Sequence, residues 1–183
     1  MKITSVTAFL IAALATSASA GNCPPPLAFA DRKAELSELL HATRNENAGQ
    51  FLTREFDEIW ATAPDRDAQD MLDRGVALRG ESRLAESEAA FDALVAYCPD
   101  FAEGYSQRGQ TRFRAGDPDG ALRDLERATA MAPDHARAWG TKALVLMQLG
   151  RFAPARAALG EALAINPWLP ERRFAQKPPG IIM

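Results

Sequence analysis

Side chains able to carry a reaction are scarce in this chain. It has two histidines, His41 and His135, and two cysteines, Cys23 and Cys98, among 183 residues. A histidine acts as a base or a metal ligand only in company. His41 has no histidine or cysteine near it in sequence, and His135 falls in a turn, where it reads as a solvated surface group. No H-E-x-x-H, G-x-S-x-G, phosphate-loop or C-x-x-C run occurs. Gly104 and Gly109 lie on helical stretches, and the DPDG run from Asp117 to Gly120 lacks the remaining ligands and closing glutamate of a calcium loop. Glu81, Glu86 and Glu88 read as a charged helix face paired with neighbouring arginines one turn away. The expectation is a chain with no catalytic, metal or cofactor site, and so not an enzyme.

The remaining bulk properties exclude further classes. The 24 acidic and 21 basic residues leave a net charge of −3 with both signs interspersed, so no basic face suited to nucleic acid is present. The first twenty residues, MKITSVTAFLIAALATSASA, have a lysine at position 2, an apolar run from Val6 to Ala15 and small residues Ala18 and Ala20 around Ser19. That is the layout of a signal peptide cut after Ala20. The apolar run is too short for a spanning helix, which needs roughly twenty residues. The expectation is a periplasmic or secreted protein with no membrane span in its mature part.

Both cysteines lie beyond that cut. In an oxidising compartment they either pair, closing a loop of about 75 residues, or stand apart, Cys98 as a small buried apolar group and Cys23 as a loose thiol.

The elements that position these side chains repeat. Residues 96–105 read AYCPDFAEGY, 130–139 read AMAPDHARAW and 164–173 read AINPWLPERR, each 34 residues after the last. Counting from Ala68, Ala102 and Ala136, the fourth position is Met71, Tyr105, Trp139 and the eighth is Gly75, Gly109, Ala143. The twentieth is Ser87, Ala121, Ala155, the twenty-fourth Phe91, Leu125, Leu159, and the thirty-second Pro99, Pro133, Pro167. Small residues at the eighth and twentieth positions let two helices approach closely, and the large fourth and twenty-fourth positions fill the space beside that contact. Each unit is therefore an antiparallel helix pair that needs a neighbour to cover its apolar side. In the second unit Gly116 stops a helix, Asp117 caps the next and Pro118 begins it; Gly150 and Pro154 do the same in the third.

At these positions the chain resembles the tetratricopeptide repeat family. From CPPP through YCPDFAEGY to NPWLPERR it is similar to small exported bacterial members. The resemblance implies an all-α, right-handed superhelical solenoid with units at residues 68–101, 102–135 and 136–169. Ahead of them, Leu36, Leu40, Phe56, Ile59 and Pro64 fall on the same positions, so residues 31–67 read as a divergent helix pair capping the stack, after an extended segment at 21–30. Residues 170–183 read as a short cap and a tail ending GIIM.

The resemblance also implies a concave groove lined by the first helix of each pair. Its candidate contacts are Arg79, Gln107, Gln110, Phe113, Arg114, Arg137, Leu144 and Met147. The family members that grip a C-terminal carboxylate use lysine, arginine and asparagine at positions where Leu72 and Val76 stand here, which argues against that particular clamp. What is left is a mixed surface of apolar side chains and arginine donors, suited to an extended peptide or a helix of a protein partner. The same apolar residues are equally suited to cover from within, by the N-terminal pair or the GIIM tail. The expected function is an exported interaction module; the alternative is an assembly factor that self-associates through its repeat ends.

Overall fold

The structure is a computed structural model and describes residues 23–175; the proposed signal peptide and the GIIM tail lie outside the described residues. Six helices build the repeats: α3 (Arg66–Gly80) with α4 (Leu84–Tyr97), α5 (Ala102–Ala115) with α6 (Pro118–Met131), and α7 (Ala136–Gln148) with α8 (Phe152–Ile165). Each helix packs on its partner, and α4 on α5 and α6 on α7 join the units into an all-α solenoid. Two helices precede them, α1 (Ala30–Ala42) and α2 (Glu46–Trp60), and a 3-10 turn, Pro170–Phe174, follows.

The repeat positions act as their residue types dictate. A Cβ on Gly75 would stand 2.5 Å from the Phe91 ring, and one on Gly109 would stand 2.9 Å from Leu125. Phe91, Leu125 and Leu159 are buried at the centre of their units. Asp117 accepts from the Gly120 amide at 2.9 Å with Pro118 first in α6, and Gly116 ends α5 in the left-handed region at φ 85°. Gly150 occupies the same position of the third unit at φ 71°, whereas the first unit places Ser82 there at φ 61°.

Between the first two units the charges are used across helices. Arg108 and Arg112 lie under α4 and reach Asp92, Glu88 and the buried Asp124 at 2.7 to 2.9 Å. Glu88 therefore pairs between repeats, while Glu81 and Glu86 share Arg83 beside them.

The N-terminal pair does not stack on α3 as a fourth unit. Where Gly104 makes room for α4 and Ala138 is fully buried, the first unit has Asp70, exposed and flanked by exposed Arg66, Asp67 and Arg74. A helix laid there would strip water from these charges. After Ala61 the chain reverses, with Gln69 accepting from the Ala63 amide at 2.8 Å and Asp65 capping α3. The apolar stripe of α2, centred on buried Phe56, closes on Leu36 and Leu40 of α1, on Ile165 at the end of α8 and on Trp168 just beyond it.

The surface that receives this arm is the row of inter-repeat turns. Cys98, Ala132 and Asn166 occupy one repeat position and all are buried. Cys98 is joined to Cys23 in a disulfide, Cα atoms 5.1 Å apart, and the Asn166 amide donates to buried Thr53 at 3.1 Å. Two positions on, Asp134 binds Lys33 at 2.6 Å. The next unit has Trp168 there, and its indole N–H donates to the Leu40 carbonyl at 2.9 Å. Gly49 lies against that indole so closely that a Cβ would fall 2.2 Å from it.

Candidate peptide groove

The first helices of the repeats, α3, α5 and α7, present one polar row on their shared side. Arg79, near the end of α3, is buried and donates to the Gln107 carbonyl at 3.0 Å, to Thr111 Oγ1 at 3.3 Å and to Gln107 Oε1. The Gln107 amide donates to Glu103 Oε1 at 2.5 Å, and Glu103 Oε2 is 2.6 Å from His135 Nε2. His135 Nδ1 accepts from the Ala138 amide and caps α7, so Nε2 holds the proton and donates to Glu103. One hydrogen-bonded chain thus ties the three units together.

This placement corrects the reading of His135 as a solvated surface group: it is 1% exposed. The signal was in the repeat, because the same position holds Phe101 and Leu169 in the neighbouring units, both buried. The Trp60 ring stacks on the imidazole with centroids 4.3 Å apart and planes at 4°, and Lys33 Nζ lies 4.5 Å from that ring's centroid. His41 ties the arm to α8, with Nε2 at 2.9 Å from the Ala164 carbonyl.

Electrostatics divide the row into two ends. At one end Asp57 of α2 takes the Arg137 guanidinium in a two-pronged pair, with one bond of 3.1 Å. At the other end Arg79 has only neutral acceptors. Burial, and then the nearby Arg114 and Arg137, lower its pKa to about 10, against the pull of Glu103. For Glu103, burial pushes the carboxyl up, yet His135 beside it and the bond from Gln107 outweigh burial and hold it below the usual carboxylate value.

The remaining residues named from the sequence lie on α3, α5 and α7. Arg114 is exposed and makes no ion pair among the described residues. Phe113, Leu144 and Met147 are half-buried, Gln110 donates weakly to Ser106 at 3.4 Å, and Val76 is 41% exposed. Arg79 and Gln107 are thus brought together by hydrogen bonds, while Phe113 and Met147 pack against the core of the second and third units. Arg137 is engaged by the arm. His135, Asp57 and Trp60, which complete the row with Glu103, were not legible as its members in the sequence.

Comparison with known proteins agrees with this architecture. A family profile described as tetratricopeptide repeat matches residues 106–168. Human tetratricopeptide repeat protein 36 is 32% identical over 85 residues, 46% of this chain and 45% of that protein. This chain therefore spans less than half the length of that relative. An uncharacterized protein of Methanocaldococcus jannaschii is 33% identical over 73 residues, 40% of this chain and 85% of that protein. Among solved structures, the first repeat domain of Spaghetti (RPAP3) bound to the HSP90 peptide SRMEEVD superposes with a TM-score of 0.57 at 16% identity, covering 59% of this chain and 86% of that one. The TPR2AB domain of yeast Sti1 in complex with an HSP90 peptide gives 0.52 at 22%, covering 67% and 48%. With its helix-pair units, the close-approach positions between them and these relatives, the chain belongs to the tetratricopeptide repeat family.

Proposed function

We propose that this protein is an exported, non-enzymatic module that holds an extended peptide of another protein in its concave groove, and that the peptide carries a carboxylate next to an apolar side chain. The observation behind this reading is that Arg114, exposed and in no ion pair among the described residues, directly follows half-buried Phe113 on α5, while Leu144 and Met147 are half-buried on α7. Arginine forks hold carboxylates in two-pronged fashion, and partly exposed aromatic and methionine side chains are the usual apolar contacts of such a surface. A stack of helix pairs is rigid, so the groove loses little ordering entropy on binding. The solved relatives named above hold peptides of HSP90, which supports peptide binding as the mode without naming a partner here. Export rests on the signal-like first twenty residues.

The test is a selection from a displayed random-peptide library against the chain from residue 21 onward. Enriched peptides should contain Asp or Glu within two residues of a large apolar side chain, and a Phe113→Ala/Arg114→Ala variant should retain none of them. Enrichment of the same peptides by both forms would remove the groove as the binding surface.

A further inference from the structure

We propose that the N-terminal arm, residues 23–60, is a disulfide-latched cover over the Arg137 end of the groove, opened by thiol–disulfide exchange. This rests on the groove reading for its purpose but not for its test. Among the described residues no backbone-to-backbone hydrogen bond joins the arm to the repeats. It is held by side chains. The ion pairs of Lys33 with Asp134, Arg172 with Glu46 and Asp57 with Arg137 are all partly exposed, and such pairs are screened by water and salt. The buried part of the dock is the apolar cluster of Leu36, Leu40 and Phe56 with Ile165 and Trp168, together with Thr53 on Asn166, Gly49 on Trp168 and Trp60 on His135.

Two of these contacts fall on the groove itself. Asp57 occupies the Arg137 guanidinium, an acid of the arm standing where an acid of a partner would stand. Trp60 covers His135 and, behind it, Glu103. With the arm docked, the groove arginine left for a partner is Arg114, which is exposed. With the arm released, Arg137 joins it and the accessible row runs from the second unit into the third.

The bridge sets how often release occurs. Cys23 and Cys98 are 75 residues apart and enclose the entire arm, so the arm is fixed at both ends while they are joined. Without the bridge it is anchored only through residues 61–65, and the effective concentration of Asp57 at Arg137 falls with the longer, freer tether. Cys98 is buried, but Cys23 is only half-buried and borders a cleft lined by Pro24, Pro25, Pro26, Pro99 and Asp100. A thiolate of an external dithiol can attack Cys23 Sγ there, breaking the S–S bond and expelling the Cys98 thiolate, which takes up a proton. The second thiol of the reagent then attacks the mixed disulfide, leaving Cys23 as a thiol and the reagent as its own disulfide. Two electrons and two protons pass to the protein, and the dithiol is the reductant.

The test compares oxidised and dithiothreitol-reduced protein, with no peptide present, by hydrogen exchange and by phenylglyoxal labelling of arginines read by mass spectrometry. Reduction should speed exchange in α1 and α2 at least tenfold and raise Arg137 labelling by a similar factor, while α3 to α8 and Arg114 stay as they were. Unchanged protection of α1 and α2 would mean the dock holds unaided and would overturn the latch. Loss of protection through α3 to α8 would overturn it too, since the bridge would then be a structural staple. A Gly49→Ala variant with the bridge intact should lift α2 from Trp168 and raise Arg137 labelling; if labelling does not rise, α2 is not the cover. Because the readout is arm release, it stands or falls separately from peptide binding.

Discussion

A matched pair of glycine substitutions separates the packing of the repeats from helix propensity. Gly75 and Gly160 both sit inside helices, α3 and α8, so replacing either by alanine gains about 1 kcal/mol of intrinsic helix stability. Their surroundings differ. A Cβ on Gly160 meets nothing within 4 Å, so Gly160→Ala should stabilise by the full ~1 kcal/mol. A Cβ on Gly75 would stand 2.5 Å from two atoms and 2.9 Å from a third of the fully buried Phe91 ring. Carbon contacts settle at about 3.5–4.0 Å, so the ring would have to retreat by about 1 Å in a core with no exposed side. Overpacking of this kind costs about 1–3 kcal/mol, and the shift also strains the bond from Ser87 Oγ to the Gly75 carbonyl, now 2.8 Å. Net of propensity, Gly75→Ala should destabilise by up to about 2 kcal/mol, leaving a gap of about 1–3 kcal/mol between the two variants. Urea denaturation followed by circular dichroism, with slopes compared to exclude changes in cooperativity, measures this directly. Equal stabilisation by both would show that α3 and α4 do not approach at Gly75, and the close-packed helix pair would have to be abandoned.

Two further outcomes follow from single sites. Ser82 stands in the left-handed region where the sister units have glycine, so Ser82→Gly should stabilise by about 0.5 kcal/mol, the relief of left-handed strain exceeding the added freedom of the unfolded chain; a loss of stability in thermal melts would count against that backbone. Glu103 has a folded pKa below its unfolded value, so its contribution is complete above the unfolded value of about 4.3 and disappears as pH falls through the folded one. The stability difference between wild type and Glu103→Gln should therefore be largest near neutrality and shrink in acid; a constant difference from pH 7 to pH 3 would refute the buried carboxylate.

The repeat positions were enough to place α3 to α8, because each unit confirms the others. Glycine, aspartate and proline in a row at Gly116, Asp117 and Pro118 mark one turn, and the same spacing locates its neighbours. The position of the arm was not legible in this way. Its dock is made by unrepeated pairs such as Asp57 with Arg137 and Thr53 with Asn166, between segments 80 and 113 residues apart, and no periodicity links them. One clue was available: Asp70 replaces the small residue that receives a preceding helix in the other units. His135 was misjudged for the reason opposite to sparse information, since Phe101 and Leu169 at its own repeat position announce burial. A list of groove positions does not say that Arg79 is spent on Gln107 or Arg137 on Asp57.

The central claim is that an arginine-flanked apolar groove binds an acidic peptide. The most direct measurement is a calorimetric titration of the chain from residue 21 onward with one selected acidic–apolar peptide and its Asp/Glu-to-Asn/Gln analogue, at low and moderate salt. Binding should be saturable and one-to-one, at least tenfold weaker for the analogue, weakened by salt, and lost in the Phe113→Ala/Arg114→Ala variant. Equal affinity for both peptides with no salt dependence, or undiminished binding by the variant, would contradict it.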